Sequence, residues 1–287
     1  MFDIFDLIPC LPGTLKVIDV GAMSMGDEEL FAPLVQRTGA RVVGFEPVQA
    51  ECDKLNALHG DSHLFLPYVI GDGTVRTFHT CNMPFTSSLY EPNAPLLSMF
   101  QNLENLTQVV DRRQVQTIRL DDVRDADDAA YLKLDVQGAE LDVLRGAQRL
   151  LEQILVIQTE VEFVPMYLGQ PLFAEVDQAL RAAGFLLHRW VEVAGRTFQP
   201  MIVNGDINRM GSQALWGQVM YVRNFMELHS LSQPKLLNLA AILHLVCQSY
   251  DMVPLVLRQY DRQAGTQLAI KYIERITASA PEPTGSG

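Results

Sequence analysis

Basic residues are in short supply. The 287-residue chain carries 22 lysines and arginines against 34 aspartates and glutamates, a formal net charge of −12. Without clustered Lys and Arg it is not built to hold a nucleic-acid backbone, so no nucleic-acid partner is expected. Cysteine is scarcer still. Cys10, Cys52, Cys81 and Cys247 lie far apart and form no CxxC pair, which argues against a cysteine zinc site or a disulfide framework and fits a reducing cytoplasm. Long apolar runs are missing too. The stretch from Leu236 to Cys247 is too short for a bilayer and contains Asn238 and His244, so no membrane span is predicted. The first residues, MFDIFDLIPCLPG, offer no basic segment ahead of an apolar one, and no signal peptide is read there. Among six histidines there is no HExxH or HxH spacing, so no metal site is predicted, although a divalent ion is left open.

What is present is core material: 48% hydrophobic and 20% charged residues describe a globular chain. From Lys16 onward, β-branched runs alternate with amphipathic stretches, the pattern of a mostly parallel, doubly wound α/β sheet. Strands are expected at 16–20, 41–45, 63–70, 131–136, 155–161, 185–193 and 218–224, and helices at about 27–38, 48–58, 138–151 and 171–183, the last stopped by Gly184. The alternation breaks for an insertion, about 73–125, too long to be an idle connection; it predicts extra strands and a substrate-facing loop. After Asn224 the texture turns helical over 234–247, 252–260 and 266–277, with Ala269, Tyr272, Ile273 and Ile276 as one stripe. The organisation expected is a lead-in (1–14), an α/β domain (15–228), a helical appendage (229–280) able to pair two copies of the chain, and a disordered tail (281–287).

The run KVIDVGAMSMGDEEL sets a strand, then Gly21 and Gly26, then a helix start, where a nucleotide or nucleoside sits against the first strand of such sheets. The GxGxxG spacing is absent, and Asp27, Glu28 and Glu29 crowd the first helical turn. Those acids suit the helix dipole but repel phosphate, which favours a phosphate-free nucleoside bearing a sulfonium, S-adenosylmethionine. Glu46, in RVVGFEP at the end of the second strand, can accept both hydroxyls of a ribose, and Pro47 ends that strand. Asp72, in VIGDG, meets the adenine amino group or simply forms a turn.

With Asp19-Val20-Gly21-Ala22, Gly44-Phe45-Glu46-Pro47, Gly71-Asp72, LDDV at 120–123 and LKLDVQGAELDVLRGA at 132–147, the chain resembles the FkbM family of methyltransferases over about residues 15 to 193. The resemblance implies a seven-stranded Rossmann-like sheet and S-adenosylmethionine as cofactor. It also implies O-methylation of a small-molecule, polyketide-like or glycan hydroxyl. Asp19, Gly21, Ala22, Met23, Glu46, Pro47, Gly71, Asp72 and Asp135 match the cofactor site that it implies. Two departures stand out: Met23-Ser24-Met25-Gly26 is one residue longer than the usual turn, and Gln137 replaces a frequent Glu.

Methyl transfer is an in-line displacement that needs alignment of two substrates and, for a hydroxyl acceptor, a base. On a strand of period two, Lys133, Asp135 and Gln137 share one face, opposite Leu132, Leu134 and Val136. Asp135 is a candidate to orient the methionine amino group, to act as base, to ligate a metal with Glu160, or to pair with Lys133. Glu160 and Glu162 share a face of the next strand and are the other candidate bases. Glu140 reads as a helix N-terminal stabiliser. In the insertion, His79, Ser87, Ser88 and Tyr90 are candidate acceptor contacts, against a plainer reading as turn hydroxyls and a surface histidine; His244 reads as a core or interface residue. A catalytically silent binding or assembly module that uses the C-terminal helices is the alternative.

Overall fold

Every β-branched run named above forms a strand in the computed structural model, which describes residues 2–9, 15–23 and 28–278. Cys10, Ser24, Met25, Gly26, Asp27 and the tail 281–287 lie outside the described residues. In chain order the elements are β1 (Lys16–Val20), α1 (Ala32–Thr38), β2 (Arg41–Phe45), α2 (Gln49–His59), β3 (His63–Leu66) and β4 (Val75–Cys81). Then come α3 (Ala94–Leu97), α4 (Leu103–Leu106), β5 (Val109–Gln116), β6 (Tyr131–Leu134), α5 (Glu140–Arg145), α6 (Gln148–Leu151), β7 (Val156–Glu162) and α7 (Phe173–Ala182). β8 (Phe185–Ala194), β9 (Trp216–Arg223), α8 (Gln233–Leu245), α9 (Met252–Ala264) and α10 (Leu268–Ala278) complete the series.

Seven strands form one sheet in the order β3-β2-β1-β6-β7-β9-β8. β2 with β3, β1 with β6 and β6 with β7 are parallel, and β9 returns antiparallel against β7. The inner strands are largely buried on both faces, and one face of each is mainly apolar. Ile18, Val20, Leu132, Leu134, Ile157, Val161, Val219 and Tyr221 join Leu144, Val176 and Leu180 in one core. The insertion supplies an antiparallel hairpin of β4 and β5.

Several expected elements come out shorter: the third strand ends at Leu66 rather than 70, and the first helix begins at Ala32 rather than about 27, which leaves Glu28 and Glu29 ahead of its first turn. β6 stops at Leu134 rather than running to 136, since Gln137 (φ 54°) and Gly138 (φ 91°) take left-handed conformations that no strand tolerates. The helix expected over 138–151 breaks after Arg145 into α5 and α6. A Cβ on Gly146 would lie 2.1 Å from the carbonyl oxygen of Gly71, so the chain there is pressed against the loop after β3. Asp121 restarts the helix, accepting the Arg149 and Leu150 N–H groups at 3.1 and 2.9 Å. The second aspartate-rich block thus works as a cap from a distance.

The chain groups into two compact units, one of Lys16–Asp27 with Val42–Val222, the other of Met1–Leu15, Glu28–Arg41 and Arg223–Gly287. Within the second, α8 packs on α9 and α9 on α10. Asp261 in α9 caps α10, accepting the Leu268 and Ala269 N–H groups at 2.8 and 2.9 Å. The stripe expected on α10 is only partly interior. Tyr272 is fully buried and meets His244 Nδ1 at 2.8 Å, whereas Ile273 is exposed. His244 is itself buried, and burial pulls its pKa below the ordinary histidine value.

At Gly21 the fold is least tolerant. Its φ is +87°, and an added Cβ would sit 1.9 Å from the Asp135 carbonyl oxygen. Gly21→Ala is expected to cost at least about 2 kcal/mol of unfolding free energy in urea titrations, from left-handed strain plus overpacking. An unchanged midpoint would contradict this.

Candidate functional site

The site is assembled at the carboxyl ends of β1, β2, β6 and β7. Register places Asp19 of β1 opposite Lys133 of β6, and Lys133 Nζ lies 3.2 Å from Asp19 Oδ1 with both side chains almost wholly buried. This corrects the sharing of one ligand-facing side by Lys133 and Asp135. A buried ammonium needs a counter-charge, and the adjacent strand provides it; breaking such a pair costs about 3–5 kcal/mol because the remaining charge is stranded. Asp19 therefore serves the site by locking its two central strands.

The first turn follows. Gly21 and Ala22 donate their N–H groups to the Phe45 carbonyl at 3.1 Å each, and Met23 N–H donates to Gly21 at 2.9 Å. The turn is thereby tied to the end of β2. Just beyond it, Glu46 is 3% exposed and accepts the Val48 N–H at 2.8 Å, bridging Pro47. Only Oε1 is engaged; the other oxygen of this carboxylate makes no hydrogen bond to the described residues. Burial raises the Glu46 pKa, with Glu51 and Asp19 adding to the shift. Asp72 instead turns on itself, accepting the Thr74 N–H and hydroxyl with Oδ1 at 3.0 and 2.6 Å. Gly71 N–H donates to Ile118, and its Cα abuts the Thr117 side chain.

Across the sheet, the turn after β6 gathers acids. Glu140 folds back so that Oε1 accepts the Val136 and Gly138 N–H groups at 2.9 and 3.3 Å. Gln137 uses one nitrogen for two carboxylates, donating to Asp135 Oδ1 at 2.9 Å and to Glu160 Oε2 at 2.7 Å. Glu162 is 2% exposed, two residues along β7. Oxygens of Glu140, Glu160 and Glu162 all lie within 4.8 Å of one another. Among the described residues none of these four acids makes an ion pair with Lys, Arg or His, so charge repels charge. Burial, with Asp135 and Glu162 nearby, holds Glu160 well above the usual carboxylate range. Burial, with Glu140 and Asp135 nearby, does the same to Glu162. Glu140 is pushed up to about 7, chiefly by burial, against the pull of its amide donors.

The insertion is fastened over this turn. Ser88 Oγ donates to the Gln137 carbonyl at 2.7 Å, and Asp142 collects Arg76 (2.9 Å), the Tyr90 hydroxyl (2.8 Å) and Arg145 (2.9 Å). Ser87 Oγ accepts the Cys81 N–H, while His79 is buried and exchanges backbone hydrogen bonds with Ser88. Ser88 and Tyr90 are thus brought to the turn, and Ser87 and His79 to the hairpin behind it. The sequence carried no signal for Tyr167 or Gln170, and Asp142, though inside the block at 132–147, was given no role. Tyr167 is buried with its hydroxyl 3.1 Å from Gln137 Oε1 and 3.0 Å from the Thr86 carbonyl. Burial, reinforced by Glu160 and Glu162, raises its pKa well above the ordinary phenol value. Gln170 closes the turn from the other side, with Nε2 where a Cβ on Gly138 would need space.

Residues 19–187 match the family model of the methyltransferase FkbM domain. The chain belongs to that family, and S-adenosylmethionine-dependent methyl transfer is its activity class. No curated protein sequence matches the chain. Magnesium protoporphyrin IX methyltransferase from Synechocystis, solved with its S-adenosylmethionine, aligns at 14% identity over 74% of this chain and 71% of its own, TM-score 0.36. A TehB-like SAM-dependent methyltransferase from Corynebacterium glutamicum aligns at 10% identity over 74% and 82%, TM-score 0.35. The family assignment rests on the family match alone.

The acid cluster has a consequence for stability. A carboxyl whose folded pKa is raised binds its proton more tightly in the native state, so its contribution is complete below the unfolded value and is lost as pH rises through the folded one. For Glu140 that window runs from 4.5 to about 7. In chelator-treated protein, unfolding free energy is expected to fall by about 1–3 kcal/mol across it. Glu162→Gln, which removes one repelling charge, is expected to flatten the slope in urea titrations at about pH 4.5 and pH 8. A wild-type profile that rises with pH would contradict the assignment.

Proposed function

We propose that the chain, as a member of this methyltransferase family, transfers the methyl group of S-adenosylmethionine to a hydroxyl of a small-molecule, polyketide-like or carbohydrate acceptor. One observation carries the reading. Glu46 is buried at the end of β2 beside the glycine turn of β1, with one carboxylate oxygen engaged by Val48 and the other open. That arrangement suits a ribose diol, and the acid cluster stands on the far side of Gly21, whose Cα abuts the Asp135 carbonyl.

The cofactor supplies an electrophilic methyl on a positively charged sulfur. In this reading Glu46 accepts the ribose hydroxyls, Pro47 and Gly71 shape the nucleoside edge, and Asp72 contributes its free oxygen there. Gly21, Ala22 and Met23 line the turn, and Asp19 keeps it in register through Lys133. Asp135 orients the amino group of the methionine end. Glu160 takes the acceptor proton: burial, with Asp135 and Glu162 nearby, makes it a stronger base than an ordinary carboxylate. Glu162 reinforces it. His79, Ser87, Ser88 and Tyr90 belong to the wall against which the acceptor is held, with Ser88 and Tyr90 anchoring that wall.

Calorimetry with S-adenosylhomocysteine tests the cofactor site without knowledge of the acceptor. Wild type is expected to bind in the micromolar range, and Glu46→Ala to weaken binding by about tenfold or more through loss of charge-assisted hydrogen bonds. Folded wild-type protein that releases no heat of binding would overturn the reading.

A further inference from the structure

Buried charge must be balanced. Around the turn after β6, Asp135, Glu140, Glu160 and Glu162 make no ion pair with a basic side chain among the described residues. The basic groups nearby are engaged elsewhere, Lys133 with Asp19 and both Arg76 and Arg145 with Asp142. Gln137 has spent both of its N–H bonds on Asp135 and Glu160. A second, independent feature lies opposite. Gln170 is 7% exposed, and its Oε1 accepts the Tyr167 N–H, which fixes the amide orientation. Its Nε2 then makes no well-formed hydrogen bond: it is pressed toward Gly138, with the Glu162 carboxylate as the acceptor it faces. A buried NH2 held off its nearest carboxylate in this way has donor capacity left for a better-placed oxygen.

We propose that Glu140, Glu160 and Glu162 bind one hard divalent cation, of the Mg²⁺ or Mn²⁺ class, and that Gln170 Nε2 donates to an oxygen completing its shell. The distances allow it. Carboxylate oxygens within 4.8 Å of one another fit around a single ion with metal–oxygen bonds of about 2.1–2.5 Å. The donor set is all oxygen, without His or Cys, which selects a hard ion over zinc. Two positive charges offset three or four carboxylates better than a single ammonium does. Glu160 is the least buried of the three. Binding of the ion stands on charge and geometry alone. Its use rests on the methyl-transfer reading: the oxygen facing Gln170 is then the acceptor's, and the ion polarises its O–H bond.

The test is a Mn²⁺ titration of chelator-treated protein, followed by calorimetry and by the electron paramagnetic resonance of free Mn²⁺. One ion per chain is expected, with Glu162→Gln and Glu160→Gln each weakening affinity by about tenfold or more. Glu46→Ala is expected to keep Mn²⁺ binding while losing S-adenosylhomocysteine, so this inference and the cofactor reading can fail separately. Circular dichroism confirms folding of each variant; should Glu162→Gln not fold, the more accessible Glu160→Gln and the Mn²⁺-induced rise in wild-type melting temperature decide. No Mn²⁺ uptake by folded wild type, or affinity unchanged in the folded variants, overturns the proposal. Either result would mean that the cluster balances its charge with protons or with a cationic group of the acceptor.

Discussion

The rest of the structure is arranged around one constraint: four carboxylates meet at the turn after β6 with amides, and no cationic side chain among the described residues, to share their charge. Gln137 can hold Asp135 and Glu160 together only because its backbone adopts a left-handed conformation. Gly138 follows in the same region, and Glu140 then reaches back to satisfy the amides that this sharp turn exposes. Repulsion within such a group costs stability, and a fold keeps it only when the surroundings hold it in place.

Those surroundings are specific. Asp19 and Lys133 cross-link β1 to β6 inside the core, so the turn following each strand starts from a fixed height. Gly21 then lets β1's turn lie directly on the Asp135 backbone, which a side chain would prevent. From above, the hairpin insertion is tied down at two points, Ser88 to the Gln137 carbonyl and Arg76 with Tyr90 to Asp142. Asp142 is buried, and its charge is met by two arginines and a phenol. The contrast with the neighbouring cluster is physical: one buried acid is fully neutralised to fasten the wall, while its neighbours are left acidic toward the site. Tyr167 and Gln170 complete the enclosure from the segment after β7.

The helical unit illustrates a different balance. Its C-terminal helices α8, α9 and α10 were legible because their apolar periods are regular; Gly265 ends α9 and Asp261 caps α10. Periodicity alone did not say which side of α10 is interior. Tyr272 turns inward to His244, and Ile270 and Ile273 remain at the surface, since ring contacts among Phe2, His244, Tyr250 and Tyr272 fill that space first.

By itself the sequence determined the strand positions, the doubly wound sheet, the insertion, the family, and the acids at the ends of the strands. All of these follow from local hydrophobic period, from glycine at sharp turns and from short-range blocks of residues. It could not show that Lys133 belongs to Asp19, that Asp121 caps α6, that Gly146 is pinned against Gly71, or that Tyr167 and Gln170 close the site. Each of those pairings joins residues about 25 to 115 positions apart, or lies within a segment without a motif, and the first depends on the parallel register of β1 and β6. Tertiary structure also decided the character of the acids. As separate letters they are ordinary solvated carboxylates; brought within a few ångströms of one another and buried, they hold their protons more tightly and act as one group.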